Sequence, residues 1–208
     1  VYSLFSKQDA SFIHDSGFHF NNRVYKLFTY SNIQSEQTAY DKRSKQLTFF
    51  RKISLTISSI IPNYVSGIAN YLLLKKEFSL NGTKMFVETV KFEQNNVSSN
   101  VIVVKALSPI TVYSTYEKRN GTKITHYFSP ADKVFEHLIE ENFARKYQAF
   151  TGEGLENEKE LVSVRPIKVT KKNKIITNHK STWVIGWTGI YELTGKAEYL
   201  SFLLNTGV

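Results

Sequence analysis

Residues 101–128, VIVVKALSPITVYSTYEKRNGTKITHYF, decide the fold. Stretches rich in β-branched and aromatic residues flank the dipeptide Asn120-Gly121. Asn and Gly tolerate the positive φ that a tight hairpin demands, so the stretch predicts a strand pair around that turn. The period then changes. ADKVFEHLIEENFARKYQAF, residues 131–150, carries its apolar residues at the spacing of an amphipathic helix. Further on, RPIKVTKKNKIITNHKSTWVIGWTGIYELTG (165–195) predicts two or three strands, and KAEYLSFLLNTG (196–207) a last helix.

The first half alternates in the same way. VYSLFSKQDASFIH (1–14) has apolar residues at helical spacing, with a break near Asp9, which can cap a second short helix stopping at Gly17. KLFTYSNI (26–33) reads as a strand and LTFFRKISLTISSI (47–60) contains another. Pro62 opens a helix that ends before the turn at Asn81-Gly82. MFVETVKFEQ (85–94) alternates like a half-buried strand, and QNNVSSN (94–100) reads as a linker. The order is therefore α-β-β-α-β over residues 1–95 and β-β-α-β-β-α over residues 96–208. That is an α+β fold of two tandem ferredoxin-like (RRM-like) units. The first strand of the first unit and the last strand of the second are absent from this sequence. Their neighbours are expected to carry unpaired backbone.

The 208 residues are 41% hydrophobic, enough to bury a core. The longest apolar candidate, ISLTISSIIP (53–62), is too short and too rich in serine to span a bilayer, and no leader pattern precedes it. A soluble, cytoplasmic protein with no membrane partner is expected. With no cysteine, disulfides, thiolate metal sites and cysteine nucleophiles are excluded. Sequons at Asn81, Asn96 and Asn120 carry little weight, two of them being Asn-Gly turns. The formal charge of +9 points to a polyanionic partner. Its 27 Lys+Arg accompany 12 Tyr and 15 Phe, a mixture able to meet phosphates and stack bases.

VYSLFSK (1–7), FIHDSGF (12–18), YKLFTYS (25–31), ALSPITVY (106–113) and TWVIGWTGIYELTG (182–195) occur in a telling order. In that order and spacing the chain resembles the CRISPR repeat-processing endoribonucleases of the RAMP superfamily, which cut precursor CRISPR RNA within each repeat. The resemblance covers nearly the whole chain. It departs at FLLNTGV (202–208), where the family's glycine-rich, RNA-holding loop would begin.

The resemblance implies an endoribonuclease that uses neither metal nor cofactor. A ribose 2′-OH attacks the adjacent phosphate, the 5′-oxygen leaves, and a 2′,3′-cyclic phosphate forms. It places Tyr2, His14 and Lys26 at the catalytic positions. Imidazole suits acid–base work near neutral pH, and lysine can hold charge building on phosphate. Which of Tyr2 and His14 is acid and which is base stays open. In one straight helix the two would stand about 18 Å apart, so the triad requires the chain to turn near Gln8–Asp9. His19, in the loop FHFNN, is given a minor role. His126, His137 and His179, on a strand, a helix and a loop, lack metal-ligand spacing, and no metal is expected.

Candidate RNA contacts are Lys168, Lys171, Lys172, Lys174 and Lys180, in and around a stretch read as a hairpin with KKNK at its tip. A second cluster is Lys42, Arg43 and Lys45, and Lys118, Arg119 and Lys123 flank a turn. The expected partner is CRISPR repeat RNA. The alternative is a non-cleaving subunit of the same fold that holds processed RNA among the subunits of an effector complex. Monomer and homodimer both stay open. Docking on anionic lipid finds no strongly amphipathic basic helix to support it.

Overall fold

The computed structural model describes residues 4–5, 11, 15–80, 82–155, 161–179 and 181–208. In the first half, Phe18–Phe20 (β1) and Arg23–Tyr25 (β2) form a hairpin that turns at Asn21, φ +51°. Next come Phe28–Tyr30 (β3), Gln34–Asp41 (β4), Gln46–Ser54 (β5) and Ile57–Ser59 (β6). β3 and β6 pair antiparallel. Ser31 extends the pair, its backbone N–H donating to Thr56 O at 2.9 Å while Thr56 N–H donates to Ser31 Oγ at 3.0 Å. β4 and β5 form a long hairpin between them, bulged where Arg51 takes φ +59°. The helix α1, Pro62–Lys75, starts at the expected proline. It stops at Lys76, whose left-handed backbone donates to Leu72 O at 2.9 Å. Glu77–Leu80 (β7) and Thr83–Phe86 (β8) form a hairpin across Gly82.

The strand expected over residues 85–94 ends at Phe86. Val87 N–H still donates to Lys76 O, at 2.9 Å, but residues 87–99 then run without a ladder. Alternation describes a surface, and a strand also needs a neighbour to satisfy its backbone. Among the described residues none lies there.

The second half holds Val101–Ile110 (β9), Tyr113–Glu117 (β10), Lys123–Tyr127 (β11), the helix Lys133–Thr151 (α2), Val162–Lys168 (β12), Lys174–His179 (β13), Thr182–Gly195 (β14) and the helix Ala197–Thr206 (α3). β10 and β11 pair around Asn120-Gly121 as expected. The long β14 is central. β9 lies along one edge of it, and β12 followed by β13 lies along the other. Apolar stripes of the two helices cover one face of this sheet. Phe135, Phe143, Leu200 and Leu203 are buried with Val164, Tyr191 and Leu193, each worth about 1.5–3 kcal/mol relative to exposure. Tyr147 and Glu198 tie the helices together by a hydrogen bond. Enclosure and the Glu198 carboxylate raise the Tyr147 phenol pKa well above its usual value.

This is the tandem ferredoxin-like α+β architecture. Among the described residues β3 and β6 pair only with each other, and β9 pairs with β14 alone.

Two local readings need correction. The stretch KVTKKNKIITNHK is not a hairpin with KKNK at its tip. Lys168 pairs with Ile190 and Lys174 with Trp187, so the chain keeps its direction along one edge of β14. Residues 169–173 bulge outward instead. The reversal falls between His179 and Thr182, which puts His179 on a strand. Turn-forming residues serve a bulge as readily as a reversal. His19 likewise lies on β1, opposite Val24, and not in a loop.

The end of α3 sits between the halves. Ser58 Oγ donates to Asn205 Oδ1 at 2.7 Å. A Cβ on Gly207, φ +77°, would lie 2.8 Å from Thr29 Oγ1.

Candidate nucleic-acid interface

Lys26 occupies the two-residue step between β2 and β3 and is half-buried. The next residue, Leu27, is 2% exposed and turns the chain with φ +48°. Its carbonyl accepts a hydrogen bond from Ser59 Oγ at 2.7 Å. The lysine is thus mounted on backbone fixed by packing and by β6. Described residues on both sides of the histidine segment meet this step. The Phe5 ring lies 5.1 Å from that of Phe28 and 5.6 Å from that of Tyr64, both edge-on. On the other side Gly17, φ +62°, presses so closely that a Cβ would fall 2.5 Å from Val24 Cγ1 and 2.9 Å from Tyr25 O. Glycine alone, lacking a Cβ, leaves that clearance, and it takes the positive φ without strain. Tyr2 and His14 lie outside the described residues, as does the turn expected near Gln8–Asp9.

The other histidines have local partners or surface positions. His19 is exposed on β1. The His126 ring meets Phe128 edge-on at 4.7 Å. His137 Nε2 lies 3.3 Å from Glu141 Oε1, and Glu141 also pairs with Arg145 at 2.8 Å. Among the described residues, no three His, Asp or Glu are placed to hold a metal.

The basic residues form three separate clusters, two at hairpin turns and one along a bulged strand edge. Lys42, Arg43 and Lys45 crown the β4–β5 hairpin. There the Asp41 carboxylate accepts from Ser44 Oγ at 2.7 Å and from Arg43 N–H at 2.8 Å. Those bonds, the Ser44 hydroxyl first, hold the Asp41 pKa below the usual carboxylate value. Lys118, Arg119 and Lys123 surround the β10–β11 turn, closed by Gly121 N–H to Lys118 O at 2.9 Å. Lys168, Lys171, Lys172 and Lys174 line the bulged edge beside β14, all exposed. Here Lys171–Asn173 forms one 3-10 turn. Thr170 Oγ1 accepts from Lys172 N–H at 3.3 Å and the Asn173 side chain accepts from Thr170 N–H at 2.9 Å, a capping box. Lys180 lies outside the described residues.

Sequence reasoning missed Lys146. On α2 it reads as one more solvated lysine. In the fold, Lys146 Nζ donates to Gly207 O at 2.6 Å and Thr206 O at 3.4 Å. A cation there complements the C-terminal dipole of α3. The stem is partly exposed, but the ammonium is surrounded by protein, and loss of water pulls its pKa down to about 8.

Comparison with known proteins places the chain in a family. The family model described as CRISPR associated protein Cas6, C-terminal, matches residues 90–208. Among solved structures, a protein described as the product of a Cas6-related gene from Pyrococcus furiosus superposes with a TM-score of 0.79 at 18% identity, over 99% of this chain and 82% of that one. One described as a RAMP protein binding different RNA substrates gives 0.74 at 18% identity, over 99% and 83%. A Cas6 product complex gives 0.58 at 15% identity, over 100% and 85%. No curated protein matches the sequence.

Proposed function

We propose that this chain, which belongs to the CRISPR-associated Cas6 family, cuts precursor CRISPR RNA within its repeats without a metal ion. The ribose 2′-OH attacks the adjacent phosphate, leaving a 2′,3′-cyclic phosphate and a 5′-OH. In this reading residues 1–95 supply the chemistry and residues 96–208 hold RNA. His14 and Tyr2 exchange protons with the attacking and leaving oxygens, and Lys26 neutralises charge growing on the phosphate.

The observation that carries the reading is the seat of Lys26. Its backbone is fixed through Leu27 and Ser59, and Phe5 and Gly17 pack against its neighbours from either side of the segment bearing His14. A phosphate clamp needs a cation held in place before the substrate arrives. The exposed lysines along the β14 edge and at the β4–β5 tip supply the electrostatic grip on RNA phosphates.

The test is incubation of the chain with end-labelled repeat RNA in EDTA. Cleavage at one position, with a cyclic-phosphate end, supports the enzyme. Tight binding with intact RNA would favour the non-cleaving subunit.

A further inference from the structure

The chain has two tryptophans, and β14 carries both. Trp183 and Trp187 are four residues apart on one strand, so their side chains leave the same face about 13 Å apart. Register puts Asn178 opposite Trp183, Ile176 opposite Ile185 and Lys174 opposite Trp187, all on that face. The other face is covered. Gly186 is buried there, and a Cβ on it would lie 2.7 Å from both Pro109 Cβ and Thr111 Oγ1.

The tryptophan face is open at the turn end of the hairpin, while Ile185 and Trp187 are half-buried and Tyr191, four residues further along β14, lies beneath the helices. Trp183 is 63% exposed and Ile176 55%. A large apolar ring left in water on an edge hairpin marks a contact surface. Charge says what it contacts. Between Leu161 and Tyr191 there are six Lys or Arg and no carboxylate. Lys174 Nζ lies 5.9 Å from the Trp187 ring centroid, and Lys171 and Lys172 stand just beyond it on the bulge. An acidic or apolar protein surface would satisfy part of this set. Flat aromatic rings spaced along a strand and edged by cations match bases on a phosphate backbone.

We propose that the Trp183–Ile176–Trp187 face of the β13–β14 hairpin is a stacking platform for single-stranded RNA. The bases lie on the indoles, and Lys171, Lys172 and Lys174 meet the phosphates. This deepens the RNA-processing reading and rests on it. The platform grips RNA by shape and charge without reading sequence, so it serves an unpaired stretch of the transcript.

Because both tryptophans belong to the platform, intrinsic fluorescence reports its occupancy. The intact chain is titrated with a dodecameric oligouridylate, and repeat-RNA binding is followed in parallel by anisotropy of a labelled RNA. Saturable quenching by the oligonucleotide is expected. Trp183→Ala should weaken oligouridylate binding roughly 5- to 100-fold, and Trp183→Phe, which keeps a ring, should restore most of it. Circular dichroism of both variants checks that they fold. If the wild type binds repeat RNA but its fluorescence does not move, the platform is wrong and the processing reading stands. Equal weakening in Trp183→Ala and Trp183→Phe also overturns stacking. A wild-type chain that binds neither RNA overturns both.

Discussion

Replacing Lys171 and Lys172 together by glutamine tests the electrostatic grip in a way that structural damage cannot imitate. Both side chains are exposed. Their turn is held by Thr170 and Asn173, through bonds of 2.9 and 3.3 Å that the substitutions leave in place. The fold should therefore be unchanged, and the effect should appear in the salt dependence of binding. Each lysine on a single-strand phosphate contributes about 0.7 to the slope of log affinity against log salt. Two lysines give about 1.4. Between roughly 50 and 200 mM salt, the affinity gap between variant and wild type should shrink about sevenfold. Anisotropy titrations of labelled repeat RNA at four salt concentrations measure both slopes. A variant that binds more weakly with the same slope would show that these lysines do not meet phosphate.

Two further predictions concern the frame. Gly186→Val forces side-chain atoms into space 2.7 Å from Pro109 Cβ and Thr111 Oγ1, and should cost about 1–3 kcal/mol by overpacking. Urea unfolding measures it, and a wild-type midpoint would contradict the packing of β14 on the end of β9. For Lys146, a folded pKa of about 8 against 10.5 unfolded means the unfolded chain binds more protons between those values. Unfolding free energy should then rise with pH through that window, by up to about 3 kcal/mol, and Lys146→Met should lack the rise. Parallel curves for the two proteins would refute it.

What could be read from sequence was what is decided locally. The Asn120-Gly121 hairpin follows from turn chemistry, and α2 from a stripe that buries Phe135, Ile139, Phe143 and Tyr147. The strand Gln34–Asp41 had no signal, because seven of its eight residues are exposed and neither face imposes a pattern. The bulge at residues 169–173 was read as a hairpin tip because only the pairing of Lys168 with Ile190 and of Lys174 with Trp187, residues distant in sequence, distinguishes the two. Lys146 could not be recognised for the same reason, its carbonyl partners lying 60 and 61 residues away. At the candidate site, a strand at Lys26 was legible; that it starts only at Phe28, leaving Lys26 on a step before it, was not. The supports beneath it, Ser59 on Leu27 and Gly17 on Tyr25, were not legible either. They depend on β6 lying against the step at Leu27 and on the β1–β2 hairpin closing Gly17 onto Tyr25.

The central claim is that this chain cuts RNA through His14, and single-turnover cleavage of repeat RNA by wild type and His14→Ala tests it most directly. Both proteins are held in EDTA at saturating concentration, with binding measured in parallel. The account predicts that His14→Ala binds the repeat within a few-fold of wild type and cleaves it at least about a hundredfold more slowly. Undiminished cleavage by His14→Ala, or a wild-type chain that binds the repeat and leaves it intact, would contradict it.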